Sequence, residues 1–163
     1  MTDHPPPYDT LIDYVAAAHG DPDACFRLSQ VARAAVLDGS DDPLTGSMEG
    51  ATLARLAALR GSIMAAVLMA EHLNTVARLY DEAGDSTHAE FSCAESLAIL
   101  ELSEAYPVPG WEPAAWSDHI QGIVTETALQ TDANFMALIK HYRTIWAPFL
   151  DPLIVQPAGD KRQ

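Results

Sequence analysis

Cysteine and long apolar runs are scarce in this 163-residue chain. Its two cysteines, Cys25 and Cys93, have neither CxxC nor disulfide-framework spacing, so we expect both to be reduced core residues. The longest apolar run covers residues 63–70 and is far shorter than the roughly 20 residues of a membrane-spanning helix. Residues 1–8 lack the basic and then apolar layout of a secretory signal. We therefore predict a cytoplasmic protein that does not span a membrane.

A long stretch of the chain also lacks basic residues. Between Leu79 and Ile139 there is no Lys or Arg, and every charged residue is Asp or Glu. Together with a net charge of −14, this acidity predicts a surface that repels phosphate backbones and anionic lipids. We therefore expect no nucleic-acid partner and no membrane partner. The acidity itself has two interpretations, namely solubility and a docking face for a basic protein or peptide.

Sequence patterns that carry chemistry are missing as well. The six histidines include no Glu-x-x-His or His-x-x-x-His pair, and the near-fits are Asp85 with His88 and Glu71 beside His72. An Asp-x-x-His at a helix start is typical of a cap rather than of a metal ligand. The chain has no G-x-S-x-G elbow, phosphate-binding loop or dinucleotide fingerprint. We therefore predict no catalytic, cofactor-binding or metal-binding residues and a protein that is not an enzyme.

What the chain does contain is helical periodicity almost throughout. Its segments are rich in Ala and Leu at helical spacing and show no β-branched alternation, which predicts an all-α protein. Asp21 before Pro22 and Ser62 before a long apolar stretch are helix-start signals. Residues 38–46 read as a loop, and Pro148 is expected to begin an extended tail. The predicted helices are 9–19, 22–38, 47–60, 62–83, 87–106, 113–130 and 132–146.

One segment of the chain occurs twice. Residues 16–28 and residues 57–69 both read A-A-x-x-G-x-x-x-A-x-x-x followed by Leu or Met. Small residues at four-residue spacing allow two helices to pack closely, and a glycine ends the helix between them. Self-similarity at a period of 20–50 residues is typical of stacked-repeat proteins.

The two copies resemble Sel1-like repeats, a family of paired antiparallel helices related to tetratricopeptide repeats. Residues 72–101 resemble a tetratricopeptide repeat of the kinesin-light-chain type, with Gly84 in its turn. The two registers conflict near residue 75, and one long helix over residues 62–83 would reconcile them. The first helix of that repeat carries Leu73, Val76, Ala77 and Tyr80, and the second carries Ala89 and residues 96–101.

The resemblance implies stacked antiparallel helical hairpins that form a short α-solenoid of about seven helices. The first helix of each pair would then line a concave groove. Side chains expected to project into that groove, or alternatively to form an ordinary solvated face, are those of Glu71, Asn74, Arg78 and Asp81. The expected organisation is a flexible N-terminus (1–8), repeats (9–106), a C-terminal helical pair packed on the repeats (107–155) and a flexible tail (156–163).

The three tryptophans all lie in the C-terminal third of the chain. Trp111 and Trp116 could anchor a cationic side chain or a peptide, although core packing is the alternative interpretation. We predict a non-enzymatic adaptor that binds a protein or peptide, possibly a basic one, and a homodimer remains open. The alternatives are an acidic inhibitor of a basic partner, of the antitoxin or toxin-immunity type, and a small helical enzyme with a site at residues 111–119.

Overall fold

The computed structural model of the protein describes residues 7–127 and 132–151. Within these residues the chain forms seven α-helices and no strand, which confirms the predicted all-α class. The helices are α1 (Pro7–Ala18), α2 (Pro22–Asp38), α3 (Pro43–Ala58), α4 (Ile63–Glu82), α5 (Ser86–Glu104), α6 (Pro113–Thr127) and α7 (Ala133–Leu150). Among the described residues, no helix is both long enough and apolar enough to cross a bilayer.

Side-chain caps fix most of the helix starts. The Asp21 carboxylate accepts hydrogen bonds from the first amides of α2, and Ser62 accepts one from the amide of Ala65 at the start of α4. Both caps satisfy amides that have no partner inside the helix. Glycines follow the ends of the first four helices, and Gly20 and Gly61 have positive φ angles of 86° and 88° at the turns after α1 and α3. The prediction that the repeated glycines lie at bends is confirmed.

Several predicted boundaries are wrong. The third and fifth helices end two residues earlier than predicted. The helix α3 begins at Pro43, because Asp42 caps it through the amide of Thr45, so residues 43–46 are helical rather than part of a loop. The helix α7 continues through Pro148 to Leu150, and the amide of Asp151 still donates to the carbonyl of Ala147. The first helix starts at Pro7, two residues early. The predicted end of the sixth helix beyond residue 127 and the predicted tail lie outside the described residues.

The helices form stacked antiparallel hairpins, as predicted. Each helix from α1 to α5 packs against the next one in the chain, and both α6 and α7 pack against α5. The helix α3 lies between α2 and α4 and presents a face of buried small residues that includes Gly46, Gly50, Ala54 and Ala58. Small side chains allow helix axes to approach closely, and their burial costs little side-chain entropy.

Two buried tryptophans attach the C-terminal helices to α5. Trp116 of α6 is fully buried, and its indole N–H donates to the carbonyl of Ser103 at 2.8 Å. Trp146 of α7 donates to Glu95 Oε1 at 3.0 Å, and Glu95 Oε2 accepts from Arg55 of α3 at 2.9 Å. The Arg55 guanidinium also lies 5.8 Å from the centre of the Trp146 ring. One buried carboxylate therefore connects α3, α5 and α7.

We expect Glu95→Gln to lower the free energy of unfolding by about 1–2 kcal/mol, because a neutral amide loses the charge-assisted bond to Arg55 in a largely buried setting. The matched control is Glu82→Gln, which removes a solvent-exposed pair with Arg78 and should cost below about 0.5 kcal/mol. Urea unfolding followed by circular dichroism measures both. Equal losses for the two variants would contradict a structural role for Glu95.

Candidate functional site

A groove runs along the face of the molecule formed by α2, α4 and α6. It consists of two adjoining cavities with volumes of about 510 Å³ and about 360 Å³. Both cavities are lined by Arg33, Leu37, Glu71 and His119, so they form one continuous depression. In both, most lining residues come from these three helices, with Ser47 of α3 added in the larger cavity and Trp111, which precedes α6, in the smaller one. The smaller cavity is nearer the start of α2 and α4.

The smaller, apolar cavity is lined mainly by hydrophobic side chains. Phe26 of α2 and Met64 and Leu68 of α4 contribute to it, together with Trp111 from the loop before α6. The Trp111 indole is 40 % exposed and lies edge-on against the buried ring of Trp116, with 5.3 Å between centroids. The Trp116 ring thus holds the Trp111 side chain at the surface in a fixed orientation. Less conformational entropy is therefore lost when a ligand binds against Trp111.

The larger, polar cavity offers hydrogen-bonding groups of several kinds. Asn74 of α4 and Asp118 and His119 of α6 line it. Within the described residues, the side chains of Asn74 and Asp118 make no hydrogen bond or ion pair with another residue. A partly buried amide and an exposed carboxylate are therefore available to a molecule that enters this cavity.

An ion pair marks the boundary between the two cavities. Arg33 of α2 and Glu71 of α4 approach to 2.6 Å, with side-chain exposures of 48 % and 16 %. The pair joins the two helices across the groove and neutralises the Arg33 charge where the cavities meet. Because Glu71 is the more buried member, its charge is the less hydrated of the two and interacts more strongly with a nearby cation.

A buried histidine lies beneath the polar cavity. His72 Nε2 is 3.2 Å from both the carbonyl oxygen and the hydroxyl of Ser29, and the Ser29 hydroxyl donates to the carbonyl of Gly50 at 2.8 Å. Since a carbonyl only accepts, these contacts assign the Nε2 proton to His72 as a donor. Burial lowers the pKa of His72, against a smaller opposing effect of the bond to Ser29.

The hydrogen-bond directions exclude serine nucleophile chemistry at this pair. The Ser29 proton is committed to the carbonyl of Gly50, and His72 donates to Ser29 instead of accepting from it. Among the described residues there is no group of three or more His, Cys, Asp or Glu side chains placed to hold a metal ion. The Ser29–His72 pair therefore does not supply an activated serine hydroxyl to the groove.

Of the six residues selected from the sequence, three line the groove and three do not. Glu71, Asn74 and Trp111 line the groove. Arg78 instead pairs with Glu82, and neither Arg78 nor Asp81 lines the two cavities, so the expected four-residue row is only half present. Trp116 requires a correction, because its ring is wholly buried and supports Trp111 from behind instead of facing a partner.

Several groove residues were missed by sequence reasoning. On α2, the residues Phe26, Gln30, Arg33 and Leu37 recur at spacings of three and four, which places them on one face of the helix. That spacing is a signal that the sequence itself contains. The contribution of α6 could not be read from spacing, because it depends on how α6 packs against α5.

No family model matches the chain, and neither a curated protein nor a solved structure is significantly similar to it.

We expect Gly50→Ala to destabilise the protein by about 1–3 kcal/mol, because the new methyl group would lie 2.2 Å from His72 Cε1 and the ring has to move. The matched control is Gly122→Ala in α6, where a Cβ atom meets nothing within 4 Å. The free energy of unfolding of Gly122→Ala should rise by about 0.5–1 kcal/mol, because alanine has a higher helix propensity than glycine. Thermal and urea unfolding measure both changes, and a stabilising Gly50→Ala would contradict the close packing described here.

We expect stability to fall as the pH drops below about 6.5, because the pKa of His72 is lower in the folded protein than its unfolded value of 6.5. The unfolded chain then takes up the proton more readily, so acid favours unfolding. The variant His72→Gln should lack the part of the stability loss between pH 7 and pH 5 that His72 causes. The control variant His141→Gln changes an exposed histidine and should lose stability over this range as the wild-type protein does. Urea titrations at several pH values measure the slopes, and identical slopes for all three proteins would refute the effect.

Proposed function

We propose that the chain is a non-enzymatic, cytoplasmic helical-repeat adaptor of Sel1-like or tetratricopeptide-like type that binds a peptide segment of another protein. The observation that carries this proposal is the continuous groove on α2, α4 and α6 with its exposed apolar groups. Leu37 is 76 % exposed and lines both cavities, and Trp111 stands beside it on the apolar side. Two buried cysteines that form no disulfide, Cys25 and Cys93, suit a reducing compartment.

Rigidity supports a binding role for the groove. Its walls are helices held by caps and by buried contacts, so little order has to be created when a ligand enters. Stacked helical hairpins commonly present such concave surfaces to extended or helical peptides. A mixture of apolar anchors and a few oriented polar groups is the composition that selective binding sites use.

The alternative proposal is an acidic inhibitor that covers a basic partner. It is favoured by the uniformly acidic charge of residues 79–139 and would place the contact on α5 and α6 outside the groove. The two proposals differ in their response to salt. Binding governed by many surface charges weakens steeply as ionic strength rises, whereas binding governed by apolar anchors changes little.

We expect groove variants to lose a peptide that the wild-type protein binds. A peptide selected on the full chain from a random display library should bind Leu37→Ser and Trp111→Ser at least about tenfold more weakly, because each variant removes an exposed apolar contact of the groove. The matched control is Leu11→Ser, which removes a leucine that is 66 % exposed on α1 and does not line either cavity.

Fluorescence anisotropy at low and high salt measures these affinities. Equal losses in all three variants would mean that the selected peptides bind nonspecifically. A peptide that tolerates both groove variants and is released by salt would refute the groove and favour the acidic inhibitor.

A further inference from the structure

The groove carries an unbalanced negative charge at one end. Arg33 and Glu71 neutralise each other at the boundary of the two cavities. Asp118 is an exposed residue of the polar cavity and forms no ion pair in the described residues. Asn74 and Thr75, which line the same cavity, are uncharged hydrogen-bonding groups. A cationic group that enters the polar cavity is therefore attracted by Asp118, and Glu71 adds to this attraction to the extent that the cation competes with Arg33 for it.

The opposite end of the groove favours a different side chain. The apolar cavity is bordered by Phe26, Met64, Leu68 and the Trp111 ring, which suit an aliphatic or aromatic side chain. Arg33 and Glu71, the charged groups at this cavity, already satisfy each other at its inner edge. The two cavities therefore differ in chemistry although they share a wall.

The distance between the two ends sets the spacing of a ligand. On α4, the residues that line the apolar cavity run from Met64 to Glu71, and those of the polar cavity run from Glu71 to Thr75. The centres of these two sets are five to six residues apart, which at 1.5 Å per residue is about 8 Å. An extended peptide covers that length in two to three residues at about 3.3 Å each.

We infer that the groove recognises a peptide segment in which an apolar side chain and a Lys or Arg lie about 8 Å apart, with the apolar group beside Trp111 and the cation between Asp118 and Glu71. This inference rests on the proposed function and adds the chemistry of the partner to it. The cation shares Glu71 with Arg33, and its second contact is the Asp118 carboxylate. A net charge of −14 increases the rate at which such a segment encounters the protein.

Three synthetic peptides that differ at one position test this inference. They are acetyl-Leu-Gly-Arg-amide, whose first and third side chains lie on one face of an extended chain, and its counterparts with Gln or Glu in place of Arg. Each is titrated into the full isotope-labelled chain while NMR shifts of the Trp111 indole N–H and the Leu37 methyl groups are followed. At low salt we expect the Arg peptide to bind at least about fivefold more tightly than the Gln peptide, and the Glu peptide to bind most weakly.

A substitution in the protein then assigns the preference to a residue. Asp118→Asn should bring the affinity ratio of the Arg and Gln peptides close to one. The matched control is Asp81→Asn, an exposed residue outside both cavities, which should leave the ratio unchanged. Both aspartates are exposed, so circular dichroism should report the same helical content for the two variants.

The remaining outcomes overturn the inference. If the Arg and Gln peptides bind equally and both depend on Leu37, the charge preference fails while the proposed function stands. Tightest binding by the Glu peptide would assign the charged end to Arg33 instead. An affinity ratio that survives Asp118→Asn would remove Asp118 from the site. If no peptide shifts the NMR signals of Trp111 and Leu37, and the display selection also returns no peptide whose binding depends on the groove, both this inference and the proposed function fail.

Discussion

The close approach of α3 to its two neighbours is the constraint on which the rest of the structure depends. Its inward face consists of Gly and Ala, so α2 and α4 are held on either side of it with little side-chain bulk between. That arrangement places α2 and α4 side by side on one surface of the molecule. The groove exists because these two helices are near enough for Arg33 to reach Glu71.

The C-terminal helix α6 supplies the third wall of the groove. The bond from Trp116 to the carbonyl of Ser103 fixes α6 on α5, and the adjacent Trp111 ring takes its position from that contact. The third wall of the groove is therefore held in place by α5. The residues of α2 and α4 and those of α6 meet at the groove through the packing of α4 on α5 and of α5 on α6.

Much of the fold could be predicted from local signals. Asp21, Ser62 and the repeated Gly20 and Gly61 marked helix ends correctly, since caps and positive φ angles depend on the nearest few residues. The boundary at Pro43 was missed because a proline at the first helical turn looks like a loop residue when its cap is overlooked. Pro148 was misjudged for a related reason, because a helix of 18 residues tolerates a proline in its last turn.

The site was less accessible to sequence reasoning than the fold. Glu71 and Asn74, which were expected to project into a groove, and Trp111, which was expected to be an anchor, line the two cavities. Arg78 and Asp81 were expected in the same groove, and neither lines the two cavities. Helical spacing gives the direction of a side chain but does not say where a neighbouring helix ends. The roles of Asp118 and His119 depend on the packing of α6, for which the chain provides no repeat or motif.

The contact between Gly50 and His72 has a consequence for how this sequence can change over evolutionary time. The imidazole fills the space that a side chain at position 50 would need, and its own position is held by Ser29. A larger residue at position 50 becomes acceptable only when position 72 shrinks, and a smaller residue at 72 leaves a void until position 50 grows. Related sequences should therefore alter these two positions together, as one inherited unit.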